Sequence, residues 1–157
     1  MKTVALLFFA FVLVYTAPTQ NDEYHILRNI INNVSKLLED PEKLSGIMVP
    51  SGFDKSRCIS TRPEDFCIAE EILSKINSTK YVIPENILNI GRLLIQYNQF
   101  HQTNCTVTLN KDEEQLRDLL KDLGCCAQFK YSRLNHKRAQ RSADNNGENS
   151  LHCANQH

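Results

Sequence analysis

Glycine is scarce in this sequence, with five residues in a chain of 157. No glycine-rich loop that could cradle a phosphate is present, and neither the Gly-x-Ser-x-Gly nor the His-Glu-x-x-His catalytic pattern occurs. The cysteines include no Cys-x-x-Cys pair and the five histidines are scattered, so the spacing of a zinc site is missing too. We therefore expect no enzyme, no bound metal and no cofactor.

The chain also has no excess of charge of either sign, because its 18 basic side chains balance its 18 acidic ones. This balance provides no overall field that would attract nucleic acid or an anionic membrane. The one long apolar run, Val4 to Val14, is shorter than the roughly 20 residues that a membrane span needs. It follows Lys2 and precedes small residues around Ala17, which is typical of a secretory signal peptide over residues 1–17. We expect a secreted, soluble, extracellular protein that binds neither nucleic acid nor membrane.

Cysteine is comparatively abundant, and all of it follows the predicted signal peptide, at Cys58, Cys67, Cys105, Cys125, Cys126 and Cys153. An even number of cysteines in an oxidising compartment predicts a disulfide framework, although these residues alone leave the pairing open. The acceptor pattern Asn-x-Ser/Thr predicts glycosylation sites at Asn33, Asn77 and Asn104.

Two stretches in the first half of the chain have the apolar periodicity of helices. In "NDEYHILRNIINNVSKLL" the apolar residues recur at steps of one, three or four, which predicts helix A. In "TRPEDFCIAEEILSKI", Thr61 and Glu64 have the spacing of a capping box and Pro63 stands in the first turn, which predicts helix B.

Two further helices are predicted in the second half. Pro84 marks the start of helix C, whose predicted buried face contains Ile87, Leu88, Gly91, Leu94 and Ile95. Gly91 is expected to admit a close contact between helices. Asn110 and Glu113 resemble a cap and its partner for helix D, whose stripe contains Leu116, Leu119, Leu120, Leu123 and Ala127.

The connections between the helices predict the topology. The link between helices B and C is short, so these helices should be antiparallel neighbours. About 22 residues join A to B and about 12 join C to D, enough at ~3.3 Å per residue to run the length of a bundle. The expected fold is all-α, an up-up-down-down four-helix bundle with two long overhand crossover loops. The β-branched segments "GIMVP" and "CTVTL" in these crossings could pair as a small two-stranded ribbon.

The end of the chain is polar. We expect one four-helix domain over residues 18–134 and a mostly disordered tail over 135–157, in which Cys153 is tied down. The basic cluster "HKRAQR" in this tail could bind glycosaminoglycan or be cut by a protease, and most such runs are simply solvated.

Helix D carries two adjacent cysteines near its middle. Because an α-helix turns about 100° per residue, Cys125 and Cys126 cannot point the same way. We place both outside the leucine stripe, where they could reach Cys58 in the first crossing and Cys153 in the tail. Neither has a predicted neighbouring base, so we expect structural bridges and not reactive thiols.

Several segments resemble the interleukin-4 and interleukin-13 group of short-chain helical cytokines. "LRDLLKDLGCCAQFKYSR" is similar, without a gap, to the last helix of interleukin-4, and "NCTVTLNKDEEQL" is similar to the crossing that precedes it. "EDFCIAEEIL" resembles the family's entry to helix B, and "LRNIINNVSKL" resembles its helix A. The resemblance implies a disulfide between Cys67 and Cys105.

The resemblance also implies a function, because this family bridges two type I cytokine receptor ectodomains to trigger immune-cell signalling. One receptor is expected on helices A and C, through Asn29 and Arg92, and interleukin-4 has a glutamate where Asn29 stands. The other is expected on helices A and D, through Ile31, Ser35 and Tyr131. Phe129, opposite the leucine stripe, is a further candidate contact.

Two alternatives are kept beside this interpretation. One is another short-chain cytokine, of the interleukin-5, interleukin-3 or colony-stimulating type. The other is a secreted helical carrier of a hydrophobic ligand, which predicts an apolar cavity and cysteines that bridge neighbouring helices. For the cytokine we expect a monomer that engages two receptor chains.

Overall fold

The computed structural model describes residues 20–59, 64–76 and 79–142. These residues form a mostly helical structure with four α-helices and a small two-stranded antiparallel sheet, compatible with a small helical bundle. The helices are α1 (Gln20–Leu38), α2 (Asp65–Ser74), α3 (Glu85–Phe100) and α4 (Leu116–Arg141). The strands are β1 (Met48–Pro50) and β2 (Glu113–Gln115), and two short 3-10 helices cover Pro41–Leu44 and Lys55–Ile59. The predicted signal peptide lies outside the described residues.

The core lies between the four helices, and the apolar periodicity predicted most of it correctly. The spacing of three and four residues places one face of each helix inward, where burial of apolar surface stabilises the fold. The fully buried side chains on these faces include Leu27, Ile30, Phe66, Ala69, Ile72, Ile90, Leu94, Leu116, Leu119, Leu120, Leu123 and Ala127.

The inward face of α3 differs from the prediction. Ile90 and Tyr97 are buried on it, whereas Leu88 is 53% exposed and Ile95 is 42% exposed. The buried face is therefore rotated away from Leu88 and Ile95, which lie at the edge of an open groove between α2 and α3.

The predicted close contact at Gly91 is also wrong, because a Cβ built there would meet nothing within 4 Å. Gly124 on α4 makes that contact instead. A Cβ at Gly124 would lie 3.0 Å from Cγ1 of Val34 on α1. The absence of a side chain at Gly124 lets these two helices approach each other.

The start and end of α4 both differ from the prediction. Its N-cap is Gln115, and the predicted cap partner Glu113 lies in β2, so the capping-box prediction at Asn110 is wrong. The helix continues to Arg141, seven residues beyond the expected domain boundary at Leu134. Leu134 is buried, and the guanidinium of Arg138 lies 4.8 Å from the centroid of the Tyr24 ring. The contact of Arg138 with Tyr24 anchors the extra turns to α1.

The small sheet forms with a different partner from the one predicted. Met48, Val49 and Pro50 of β1 pair with Gln115, Glu114 and Glu113 of β2. Two backbone hydrogen bonds extend the pairing, from Leu116 N–H to Ile47 O at 2.9 Å and from Ser51 N–H to Asp112 O at 2.7 Å. "CTVTL" forms no strand, because Cys105 is joined to α2 and Val107 and Leu109 pack against the core.

The crossing between α1 and α2 contributes its own side chains to the core. Leu44, Ile47, Val49 and Phe53 are all buried. The second 3-10 helix packs against α4, while α1 packs chiefly against α4 and α3, and α2 packs against α3. The first long crossing is therefore part of the packed structure.

Candidate functional site

A network of polar and aromatic side chains links the four helices around the first turns of α1 and α2. The buried Glu23 of α1 accepts a hydrogen bond from the Tyr97 hydroxyl at 3.3 Å, and His101 Nε2 lies 2.9 Å from the same carboxylate. The Tyr97 ring of α3 contacts Phe66 of α2 edge-on, with centroids 4.6 Å apart. Burial, and then the Glu23 carboxylate, raise the pKa of Tyr97 well above its usual range. The Tyr97 hydroxyl therefore stays protonated and donates to Glu23.

The same network reaches α4 through an ion pair. Lys130 Nζ lies 3.4 Å from Asp65 Oδ2, and both side chains are at least 90% buried. The ammonium also lies 5.5 Å from the centroid of the Phe66 ring, a cation–π arrangement. Sequence reasoning did not find this network, because a helix's periodicity does not say which polar residue of one helix meets which of another.

An open groove of about 500 Å³ separates α1 from α3. Its lining combines amides and charged groups with apolar side chains: Asp22, His25, Ile26, Asn29, Leu93, Gln96, Gln99 and Phe100. Polar groups around an apolar floor are the usual composition of a protein-binding surface. Asn29 is exposed in this groove, whereas Leu93, Gln96 and Gln99 were not among the predicted site residues.

Arg92, predicted to share a face with Asn29, lies in a different groove. It is exposed on α3 and lines the space of about 360 Å³ between α3 and α2, near Leu88 and Ile95. Its guanidinium donates to Asn89 Oδ1 at 3.4 Å. The structure does not bring Asn29 and Arg92 into one groove.

Tyr24 and Tyr131 lie side by side where α1 contacts α4, and we call the surface around this pair the α1–α4 seam. The Tyr131 hydroxyl donates a hydrogen bond to the Tyr24 hydroxyl, and the two ring centroids lie 4.5 Å apart. Burial, and then this hydrogen bond, raise the pKa of Tyr131. Both rings are half-buried, so each combines packing with a surface edge that a partner could contact. Tyr24 was not a predicted site residue.

The other predicted residues of this face lie along α1 and α4. Ile31 is half-buried against the core and Ser35 is exposed. Ser35 is 11 residues beyond Tyr24 in α1, which separates it by about 16 Å from the tyrosine pair. Phe129 is 40% exposed, and the Arg133 guanidinium lies 5.8 Å from the centroid of its ring.

Among the described residues, two disulfides join helices to connecting segments. Cys67 of α2 is bonded to Cys105, and Cys126 of α4 is bonded to Cys58 in the second 3-10 helix. The expectation that Cys126 lies outside the core is wrong, because the 3-10 helix packs over it and leaves it fully buried. Cys125 is half-buried, and Cys153 lies outside the described residues, so the third bridge stays a prediction.

The predicted glycosylation sites differ in their surroundings. Asn104 is exposed, whereas Asn33 is half-buried within α1 and its Nδ2 donates to the Asn29 carbonyl at 2.8 Å. Asn77 lies outside the described residues. Glycosylation at these three sites stays a prediction.

The described residues lack two further features, a metal site and a membrane-spanning helix. They contain no group of three or more histidine, cysteine, aspartate or glutamate side chains placed to hold a metal ion. Within the same ranges, none of the helices combines the length and apolar character needed to cross a bilayer. Comparison of the chain with family models, curated proteins and solved structures finds no match.

Proposed function

We propose that the chain is a secreted cytokine of the interleukin-4 and interleukin-13 type, which brings two type I cytokine receptor ectodomains together. In this proposal signalling follows from the proximity of the two receptors, and no bond is made or broken. The observation that carries the proposal is the set of contacts that the first turns of α1 and α2 make with α3 and α4.

Four contacts support the up-up-down-down arrangement. Near the start of α1, Glu23 meets Tyr97 near the end of α3, and Tyr24 meets Tyr131 in the second half of α4. At the start of α2, Phe66 also meets Tyr97, and Asp65 meets Lys130 of α4. The contacts are those expected if α1 and α2 point one way and α3 and α4 point the other. The long connections from α1 to α2 and from α3 to α4 suit that arrangement.

The surface supports two separate receptor contacts that share α1. The α1–α3 groove, with Asn29, Gln96 and Leu93, offers amides around an apolar floor. The α1–α4 seam offers Tyr131 beside Tyr24, and aromatic residues of this kind are common at the energetic centres of interfaces. We assign the first receptor to the groove and the second to the seam.

The disulfides favour a cytokine over a hydrophobic-ligand carrier. The carrier interpretation predicts cysteines that bridge neighbouring helices of the bundle. The two disulfides among the described residues each join an α-helix to a connecting segment instead. Each disulfide therefore fixes a long connection to one helix, and among the described residues no disulfide joins two α-helices.

The test is binding of the refolded mature protein to a panel of type I receptor ectodomains. Asn29→Arg should weaken binding of one receptor by tenfold or more, because the new side chain fills the groove and adds a charge. Ser35→Arg and Tyr131→Asp should weaken binding of a different receptor. Far-ultraviolet circular dichroism and thermal melting show whether each variant is folded.

The matched control is Leu88→Arg, which adds the same charge at an exposed position of α3 outside both surfaces. It should change neither affinity by more than about twofold. Absence of binding to every ectodomain contradicts the cytokine proposal. If each folded variant loses binding to both receptors, the assignment of the two surfaces is wrong. It is also wrong if the folded variants bind both receptors as tightly as the wild type does.

A further inference from the structure

The second half of α4 carries positive charge without any acidic side chain. From Leu123 to Ser142 there is no aspartate or glutamate, and there are five basic residues: Lys130, Arg133, Lys137, Arg138 and Arg141. The first two turns of the helix, by contrast, contain both Asp118 and Asp122 beside Arg117 and Lys121. The chain is neutral overall, so the charge of α4 is local.

Three of these cations lie along one face of the helix. Arg133, Lys137 and Arg141 follow each other at intervals of four residues, and we call them the basic stripe. Each interval advances about 6 Å and turns only about 40° beyond a full circle, so the stripe is about 12 Å long. Lys137 and Arg141 are exposed and Arg133 is half-buried. The other two cations face α1 and α2, where Arg138 lies over Tyr24 and Lys130 pairs with Asp65.

Local stabilisation of the helix does not account for the whole stripe. Cations favour the C-terminal end of a helix, but this effect is confined to the last turn, which contains Arg138 and Arg141. Arg133 and Lys137 lie before that turn. Within residues 20–59, 64–76 and 79–142, no carboxylate lies within ion-pair distance of either one.

We propose that the basic stripe binds sulfated glycosaminoglycan. A row of cations along a convex helix fits a linear polyanion, which can follow the helix and neutralise each charge in turn. Phe129, one turn before the stripe, is the one exposed large apolar side chain of α4 among the described residues. A protein partner would need a larger apolar centre, and a membrane-surface helix would need an apolar face beside the charged one. This proposal does not depend on the receptor proposal.

Binding to a polyanion releases counterions, so it should weaken steeply with salt. The experiment measures the affinity of the refolded mature chain, with its tail, for heparin at several salt concentrations. The test variant combines Arg133→Gln, Lys137→Gln and Arg141→Gln. The control combines Lys111→Gln, Arg117→Gln and Lys121→Gln, three exposed cations whose loss changes the net charge equally.

The wild type should bind at physiological ionic strength. The test variant should bind at least about tenfold more weakly, with a slope of log affinity against log salt that is flatter by about two units. The control should stay within about twofold of the wild type. Circular dichroism should show the helix content of the wild type in both variants.

Three results would overturn the proposal. The first is no binding of the wild type to heparin at physiological ionic strength. The second is an equal loss in the test and control variants, which would assign the binding to net charge. The third is equal affinity for vesicles containing phosphatidylserine, which would show that the stripe does not recognise sulfated sugar.

Discussion

Two buried carboxylates each meet partners on other helices. Glu23 interacts with Tyr97 and His101, and Asp65 interacts with Lys130. A buried charge that loses its partner costs several kcal/mol, whereas a paired one costs little net free energy. These pairs therefore favour the helix arrangement in which both form. They add specificity to a core whose leucines and isoleucines would tolerate other packings.

Glu114 is a residue whose ionisation opposes folding. It lies in β2, and its Oε1 is buried without a hydrogen-bond partner among the described residues. Burial raises the pKa of Glu114, and the carboxylates of Asp122 and Asp118 raise it further. Because the folded-state pKa lies above the unfolded one, the folded protein loses stability as the pH rises through that range.

We therefore predict that Glu114→Gln stabilises the protein at neutral pH. The gain in the free energy of unfolding should be less than about 1 kcal/mol, because Glu114 is partly exposed and solvent screens its charge. The gain should shrink as the pH falls through the ordinary glutamate pKa of about 4.3 and disappear by about pH 3, where Glu114 is protonated in both states. Urea unfolding from pH 3 to 8 measures this, with Glu113→Gln, exposed in the same strand, as the control. A variant less stable than the wild type at pH 7, or a gain that persists at pH 3, would contradict the prediction.

At the scale of the elements, two glycines in helices have opposite surroundings. Gly91 of α3 has open space where a side chain would go, and Gly124 of α4 has Val34 of α1 there. Val34 is buried and β-branched, so its side chain has few alternative rotamers. The approach of α1 to α4 therefore depends on Gly124.

We predict that Gly91→Ala and Gly124→Ala differ in sign. Gly91→Ala should raise the free energy of unfolding by about 0.5–1 kcal/mol, because alanine favours the helix and meets nothing. Gly124→Ala should lower it, since the contact with Val34 forces α1 and α4 apart. Urea unfolding of both variants at pH 7 decides the question. Equal stabilisation by the two substitutions would show that α1 and α4 do not approach closely at Gly124.

The positions and buried faces of the helices could be predicted because the periodicity of apolar residues is a property of the sequence alone. The stripe of α4 and most of the α1 face are buried as the spacing of their leucines and isoleucines predicted. The partner of β1 was not predictable in the same way. "CTVTL" has better strand propensity than Glu113–Gln115, but its position beside α2 and its packing against the core keep it from pairing. Local preference was overridden by tertiary contacts.

Burial of individual site residues was less predictable than the helices that carry them. Cys126 lies on the flank of the leucine stripe, and it is buried only because the 3-10 helix of the first crossing covers it. Asn29 and Arg92 were assigned to one surface by resemblance, yet the rotation of α3 places Arg92 toward α2. Which groove a side chain lines depends on helix rotation, and periodicity determines that rotation only approximately.

At the scale of the whole molecule, buried side chains and a disulfide together hold the first crossing against the helices. Leu44, Ile47 and Phe53 bury the crossing against the helices. The disulfide from Cys58 to Cys126 then fixes its far end on α4, across a sequence separation of 68 residues. A bundle held in this way presents rigid helix surfaces, and rigid surfaces lose little conformational entropy on binding.

The most direct test of the proposed function is the mass of the complex that the mature protein forms with two receptor ectodomains. The pair is chosen from those that bind individually, and the mass is measured by light scattering during size-exclusion chromatography. The proposal predicts a single species that contains one copy of the protein and one of each ectodomain. Two separate binary complexes, with no species that contains both receptors, would contradict it.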